Sequence, residues 1–222
     1  METATVVLHI GPLIITDVVV TSYGLTGVLG LGAWLVSRHL HLDPGPVQTA
    51  LEGIVSLIEA AISEVLPQQT VRILPFVGTL WIFLTLANLT GLIPGLNSPT
   101  RNLSATAALA VLVFLAVHWF GIRSQGLGGY LRHYLAPNPI LLPFHLVSEI
   151  TRTVALAVRL FGNIMSLEIA ALLVLLVGGL LVPIPLLMLH IVEALVQAYI
   201  FGMLALIYIA GGIQSQQQRQ RD

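Results

Sequence analysis

The sequence contains no cysteine and no lysine. The first absence excludes disulfides, thiolate metal sites and cysteine nucleophiles. The second leaves all fixed positive charge to arginine. Charge of either sign is scarce, at 9% of 222 residues, against roughly a quarter in a soluble domain. A net charge of −1 gives no basic footprint for nucleic acid. No basic n-region follows Met1-Glu2-Thr3, so a cleaved signal peptide is not expected. Walker-type phosphate loops, His-Glu-x-x-His pairs and Gly-x-Ser-x-Gly elbows are also missing, so no catalytic residues, metal site or cofactor are expected. His39 and His41 close the first apolar run and read as interfacial residues, not ligands. What fills the chain is apolar: 56% hydrophobic residues and a mean hydropathy of +0.94 suit lipid as the solvent.

Five runs qualify as membrane-spanning helices: Leu13 to Val36, Leu74 to Gly95, Leu103 to Ile122, Pro143 to Leu181 and Ile184 to Ile213. Helices satisfy their own backbone in hydrocarbon, so the expected fold is a single all-α membrane domain over the whole chain. An odd number of spans puts the termini on opposite sides. With the C-terminus inside, the inner loops hold Arg38, Arg72, Arg123, Arg132, Arg219 and Arg221, and the outer loops only Arg101. The arginine bias therefore places the N-terminus outside.

Val47 to Leu66 is different. Gln48, Glu52, Ser56, Glu59 and Ser63 recur every three or four positions, leaving Leu51, Ile54, Val55, Ile58, Ile62 and Val65 on the other face. That pattern predicts an amphipathic helix on the inner membrane surface. Its glutamates repel anionic lipid, so it should also pack on protein. Arg123 to Pro143, rich in Gly and Pro, reads as a solvated inner loop.

Span four carries Arg159, well inside an apolar pattern. An arginine at mid-membrane costs roughly 3 kcal/mol on insertion scales, tolerable only with partners or water. Arg152, Arg159, Asn163, Ser166 and Ala170 share one helical face. A helix-fastening ion pair could be replaced by apolar packing at little cost, so a functional reason for the charge is the stronger one. Glu168 lies nine residues further on, about 13 Å along the helix. Span five returns with His190, Glu193 and Gln197 on one face. In an antiparallel hairpin His190 and Glu193 should approach Glu168, with Gln197 deeper, nearer the level of Arg159. Carboxylates and imidazole hand on protons, while a fixed positive charge blocks straight-through leakage and attracts a carboxylate that has lost its ion. Such a chain makes half a pathway, and a partner with a moving carboxylate completes it. A self-contained secondary transporter is the alternative. It predicts an internal repeat or helices broken at the midplane, and neither is visible.

Arg159-Leu160-Phe161-Gly162-Asn163 resembles the signature of subunit a of F-type ATP synthases, the stator facing the rotating c-ring. Asn88-Leu89-Thr90-Gly91-Leu92-Ile93-Pro94-Gly95 resembles that family's second-span motif, and Gln197-Ala198-Tyr199-Ile200-Phe201 its last-span motif. The resemblance covers nearly the whole chain. It implies that Arg159 meets the c-ring carboxylate and separates two half-channels. It implies an outer half-channel at Glu168 and His190, with Glu193 added where many members are apolar. Gln197 matches the glutamine near the arginine, and Asn163 a polar position beside the rotor. Glu149 and Arg152 match acidic and basic positions before the signature and are candidates for the inner half-channel; Thr153 replaces a common proline. The family fold makes the last two spans a long tilted hairpin. The implied partners are the c-ring, peripheral-stalk b subunits and lipid, in a hetero-oligomeric complex of the bacterial plasma membrane with a cytoplasmic C-terminus. ATP chemistry is implied to sit in other subunits. The short N-terminus resembles a compact variant group, some of them thought to be sodium-linked, so proton and sodium both stay open.

Overall fold

A computed structural model describes residues 6–10, 13–38, 40–41, 45–93, 98–135, 142–178 and 183–214. Two short strands, β1 (Val6–Ile10) and β2 (Leu13–Thr16), precede six helices: α1 (Asp17–Arg38), α2 (Pro46–Val65), α3 (Thr70–Leu89), α4 (Leu103–Leu135), α5 (Leu142–Gly178) and α6 (Pro183–Gln214). The stretches Asp17–Arg38, Thr70–Leu92, Leu103–Ser124, Pro143–Leu176 and Pro185–Ile213 are each long and apolar enough to cross a membrane. The fold is that of an all-α membrane protein with five such helices.

Most boundaries fall within a few residues of the expected ones; three differ for identifiable reasons. The first span does not start at Leu13. Leu13–Thr16 pairs antiparallel with β1, and the helix starts at Asp17. Ile14, Ile15 and Thr16 are β-branched and favour the extended chain. Asp17 supplies the negative charge that a helix N-terminus favours, and its Oδ1 accepts from the Val18 amide at 2.9 Å. Helix α3 stops at Leu89, short of Gly95, and tightens into a 3-10 turn at Thr90–Leu92, where Gly91 weakens the helix and Pro94 cannot extend it. Arg123 to Pro143 is not all loop: α4 runs on to Leu135 across a break at Gly126. The glycine's φ of +74° there is a backbone conformation that a side chain would strain.

The core lies between α3, α4, α5 and α6. Ile73, Val77, Leu80, Trp81 and Leu84 of α3 meet Ala110, Val113 and Val117 of α4, Leu156, Ala157 and Leu160 of α5, and Phe201, Leu206, Ile209 and Ile213 of α6. Helix α6 is central and turns small residues, Ala194, Ala198, Ala205 and Ala210, to its neighbours, so backbones approach closely. Gly202 is the tightest point: a Cβ there would overlap the Trp81 indole. The same indole donates to the Tyr199 carbonyl at 3.2 Å and stacks on the Tyr199 ring at 5.9 Å between centroids. Trp81 thus satisfies its N–H inside the bundle. Helix α2 docks on this core through its C-terminal half, with Ile62 fully buried and Ile58, Ala61 and Val65 partly so; Leu51, Ile54 and Val55 are exposed. Helix α1 stands at the margin with Val18 as its only buried residue, and Arg38 lies over the Trp34 ring at 4.3 Å.

Candidate functional site

The chain's course puts the short turns Thr90–Leu92 and Pro99–Arg101 and the starts of α4 and α6 at one end of the bundle. The starts of α3 and α5 and the close of α6 lie at the other. Polar side chains gather in three places: at each end and between them on α5 and α6.

In the middle, Asn163 Nδ2 donates to Gln197 Oε1 at 2.6 Å. Closer to the α6 C-terminus, the Arg152 guanidinium lies over the Tyr208 ring at 5.5 Å. From Arg152 to Asn163 is 163 − 152 = 11 residues, and from Gln197 to Tyr208 is 208 − 197 = 11. The two contacts therefore belong to one antiparallel register in which paired positions sum to 360. That register brings Gln197 one turn from Arg159, the level expected from the sequence. It also sets position 168 beside position 192, next to Glu193. Glu168 is part of α5, but its side chain lies outside the described residues.

Arg159 is exposed on the face of α5 turned away from the core, while Leu156, Ala157, Leu160 and Ile164 point inward. Among the described residues it meets no carboxylate and no hydrogen-bond acceptor. Its neighbour on the stripe, Asn163, is half-buried, and Ser166 is exposed. Gln197 is 1% exposed, and its Nε2 has no hydrogen-bond partner among the described residues. One face of the Asn163–Gln197 pair is thus satisfied, and one buried amide donor remains for an acceptor from elsewhere.

At the turn end, His190 stands beside Gly91 and Ser98. A Cβ on Gly91 would lie 3.6 Å from His190 Nε2 and 3.3 Å from Ser98 Cβ, so the bare glycine lets ring and serine close in. His190 Nε2 is buried and has no hydrogen-bond partner among the described residues. Glu193, one turn on, is half-buried. Behind them lies a buried network that sequence reasoning did not assign to the site. Asn88 Nδ2 donates to the Ala194 carbonyl at 3.2 Å, and Thr100 Oγ1 donates to Asn88 Oδ1 at 2.8 Å. Ser98 Oγ lies 2.7 Å from the Ala87 carbonyl and 2.7 Å from Thr100 Oγ1. Neither carbonyl at the ends of this chain can donate, so two hydroxyl protons serve three contacts. Asn88, at 0% exposure, holds α6 between His190 and Gln197. The available signal was a lone amide in an otherwise apolar span.

At the opposite end, a cavity of about 130 Å³ is lined by His145, Ser148, Glu149, Arg152, Thr153 and Tyr208, with Val113, Val117 and Leu156 among its apolar walls. Glu149 Oε2 lies 3.6 Å from His118 Nε2 of α4. The structure therefore brings Glu149 and Arg152 into one cavity with Tyr208, and sets His118 against Glu149. Among the described residues no cluster of His, Asp or Glu could hold a metal ion. A larger groove of about 680 Å³ between α1, α2, α3 and α6 is almost wholly apolar and carries no chemistry of its own.

Comparison with known proteins places these features in one family. The family model described as ATP synthase A chain matches residues 19–210. ATP synthase subunit a 2 of Pelobacter propionicus is 66% identical over 99% of this chain and 96% of its own length. ATP synthase subunit a 1 of Hahella chejuensis is 62% identical over 93% of this chain and 88% of its own, and ATP synthase subunit a of Legionella pneumophila is 56% identical over 96% and 93%.

Proposed function

This chain belongs to the ATP synthase A chain family, and on that premise we propose that it carries ions past a rotor through two half-channels divided by Arg159. Family membership makes it a multi-pass membrane stator subunit of an ATP synthase, distinct from the catalytic subunits and acting in a complex with them. The finer reading rests on its own residues.

One observation carries it. Arg159 sits on an exposed helix face, without a carboxylate among the described residues, midway between two polar regions at opposite ends of the bundle. A charge so placed in a span is costly unless a partner arrives from outside the chain. A c-ring carboxylate fits that need. It would be drawn to the guanidinium when it has released its ion. The Gln197 amide, without a partner among the described residues, offers the same visitor a donor.

On this reading ions enter from the outer face along Glu168, His190 and Glu193 and load a ring carboxylate beside Asn163. After the ring has turned they leave through an inner half-channel at Glu149 and Arg152. The arginine bias supports a cytoplasmic C-terminus in a bacterial plasma membrane. The exposed apolar flank of α1 is left for peripheral-stalk b subunits and lipid. The ion is a proton on the preferred reading and sodium on the alternative. ATP chemistry belongs to other subunits, and no residue here is assigned to it.

The test is Arg159→Ala in the intact complex in liposomes. Coupled ATP synthesis and ATP-driven pumping should both be lost while the complex still assembles. Normal pumping by an assembled variant would sink the reading.

A further inference from the structure

The pairing of His118 with Glu149 reaches beyond the half-channel candidates named so far. Helix α4 sets His118 against Glu149, which itself lines the inner cavity. Its Nδ1 lies 2.8 Å from the Phe114 carbonyl one turn back. A carbonyl only accepts, so Nδ1 carries a hydrogen in either charge state of the ring. The exchangeable site is therefore Nε2, and Nε2 is the atom that faces Glu149 Oε2 at 3.6 Å. With the tautomer fixed by the backbone, one proton suffices for the imidazole nitrogen and carboxylate oxygen to attract each other, whichever of them holds it. Both side chains keep an exposed part, at 27% and 18%. Among the described residues, the charged and titratable groups near the pair include His145 and Arg152 on α5, Tyr208 on α6 and, further toward the end of α4, Arg123. Arg152 stands over Tyr208, which turns its charge toward α6.

We propose that His118 and Glu149 together form a proton-exchange station at the inner half-channel, passing single protons between the cytoplasmic water and the cavity beneath Arg159. The inference rests on the stator reading, with the α6 C-terminal end facing the cytoplasm. It names the cargo at this end as a proton, because an imidazole nitrogen beside a carboxylate trades a proton and offers sodium poor ligands. The step is balanced: a proton from water binds at the shared Nε2–Oε2 site, and the same proton leaves from it into the cavity. Leu156, 2% exposed, closes the cavity on the side toward Arg159, so the last transfer is to a rotor carboxylate at the open face of α5.

The test measures ATP-driven proton uptake by the intact complex in liposomes, as the ratio of His118→Gln to wild type across a range of about pH 6 to about pH 9 on the nucleotide side. Taking the ratio cancels the pH dependence of ATP hydrolysis. The ratio should fall as the pH rises and protons become scarce, by roughly three- to tenfold at the alkaline end, a modest share of what a positioned acid–base group supplies. Glu149→Gln should give the same profile, and the double variant no more than either alone, because the pair acts as a unit. A ratio that is flat across pH, whether near one or uniformly low, would overturn the proposal. So would an additive double variant, or transport of radioactive sodium that the complex sustains equally with and without His118. An inactive Arg159→Ala complex beside a flat His118→Gln ratio removes the station alone; an active Arg159→Ala complex removes the stator reading beneath it.

Discussion

Asn163 donates a 2.6 Å hydrogen bond to Gln197 across the last two helices, and the Gln197 amide nitrogen beside it has no partner of its own among the described residues. The bond fixes the level at which α6 meets α5, one turn from Arg159. Losing either partner leaves a polar group in an apolar site; losing both removes the mismatch. Gln197→Leu and Asn163→Leu should each lower pumping, and a double-mutant cycle should show coupling of about 1 kcal/mol, typical of interhelical hydrogen bonds in membranes. Additive losses in reconstituted complexes would show that the two amides act separately.

Asn88 should be the least replaceable residue of the turn end. Asn88→Leu removes both of its hydrogen bonds, from the Thr100 hydroxyl and to the Ala194 carbonyl, each worth about 0.5–1.5 kcal/mol. Thr100→Val removes the contacts to Asn88 Oδ1 and Ser98 Oγ but leaves Asn88 holding the Ala194 carbonyl of α6, so it should be milder. Thermal denaturation of the detergent-solubilised complex should rank Asn88→Leu below Thr100→Val. The reverse ranking would mean that Thr100 has a role outside this network.

Gly202 admits the Trp81 indole where a methyl group would stand. Gly202→Ala should therefore reduce the yield of assembled complex, with overpacking of about 1–3 kcal/mol as the cause. Combining it with Trp81→Leu should recover part of the yield. No recovery would point to backbone strain in α6 instead.

Gly126 carries a φ of +74°. Gly126→Ala should destabilise the complex by roughly 1–3 kcal/mol, the penalty for a side chain in a φ/ψ region essentially confined to glycine, and Gly126→Asn should cost about as much. Melting temperatures of the two variants test this; a clearly milder Asn variant would contradict it. Pumping per assembled complex should be unchanged in both, since the break lies beyond His118 and the inner cavity.

The spans were legible because each combines length with near-continuous apolarity, a local property. So was the amphipathic helix over Val47 to Leu66, whose period of three to four survives in α2. The level of Gln197 relative to Arg159 was also legible, since an antiparallel hairpin leaves little freedom once its turn is placed. What local patterns did not reveal depends on partners far along the chain. Asn88 reads as a stray amide until the Ala194 carbonyl is brought to it, 106 residues away. His118 is only a lone histidine near the end of an apolar span until α5 delivers Glu149. The start of α1 was misplaced because Leu13 to Thr16 is as apolar as the helix behind it, and hydropathy does not separate strand from helix in so short a run.

The central position of α6 has a bearing on how the protein is made. Trp81 and Asn88 of α3 find their acceptors on Tyr199 and Ala194, and Asn163 of α5 finds its own on Gln197. All three acceptors lie on a helix that follows both donor helices in the chain, so ribosomes deliver the donors first. During synthesis these N–H groups must wait in the insertion machinery or against lipid headgroups. A nascent chain stalled before α6 would thus expose three unmet donors within the bilayer, a polar flag that membrane proteases and chaperones could read as unfinished.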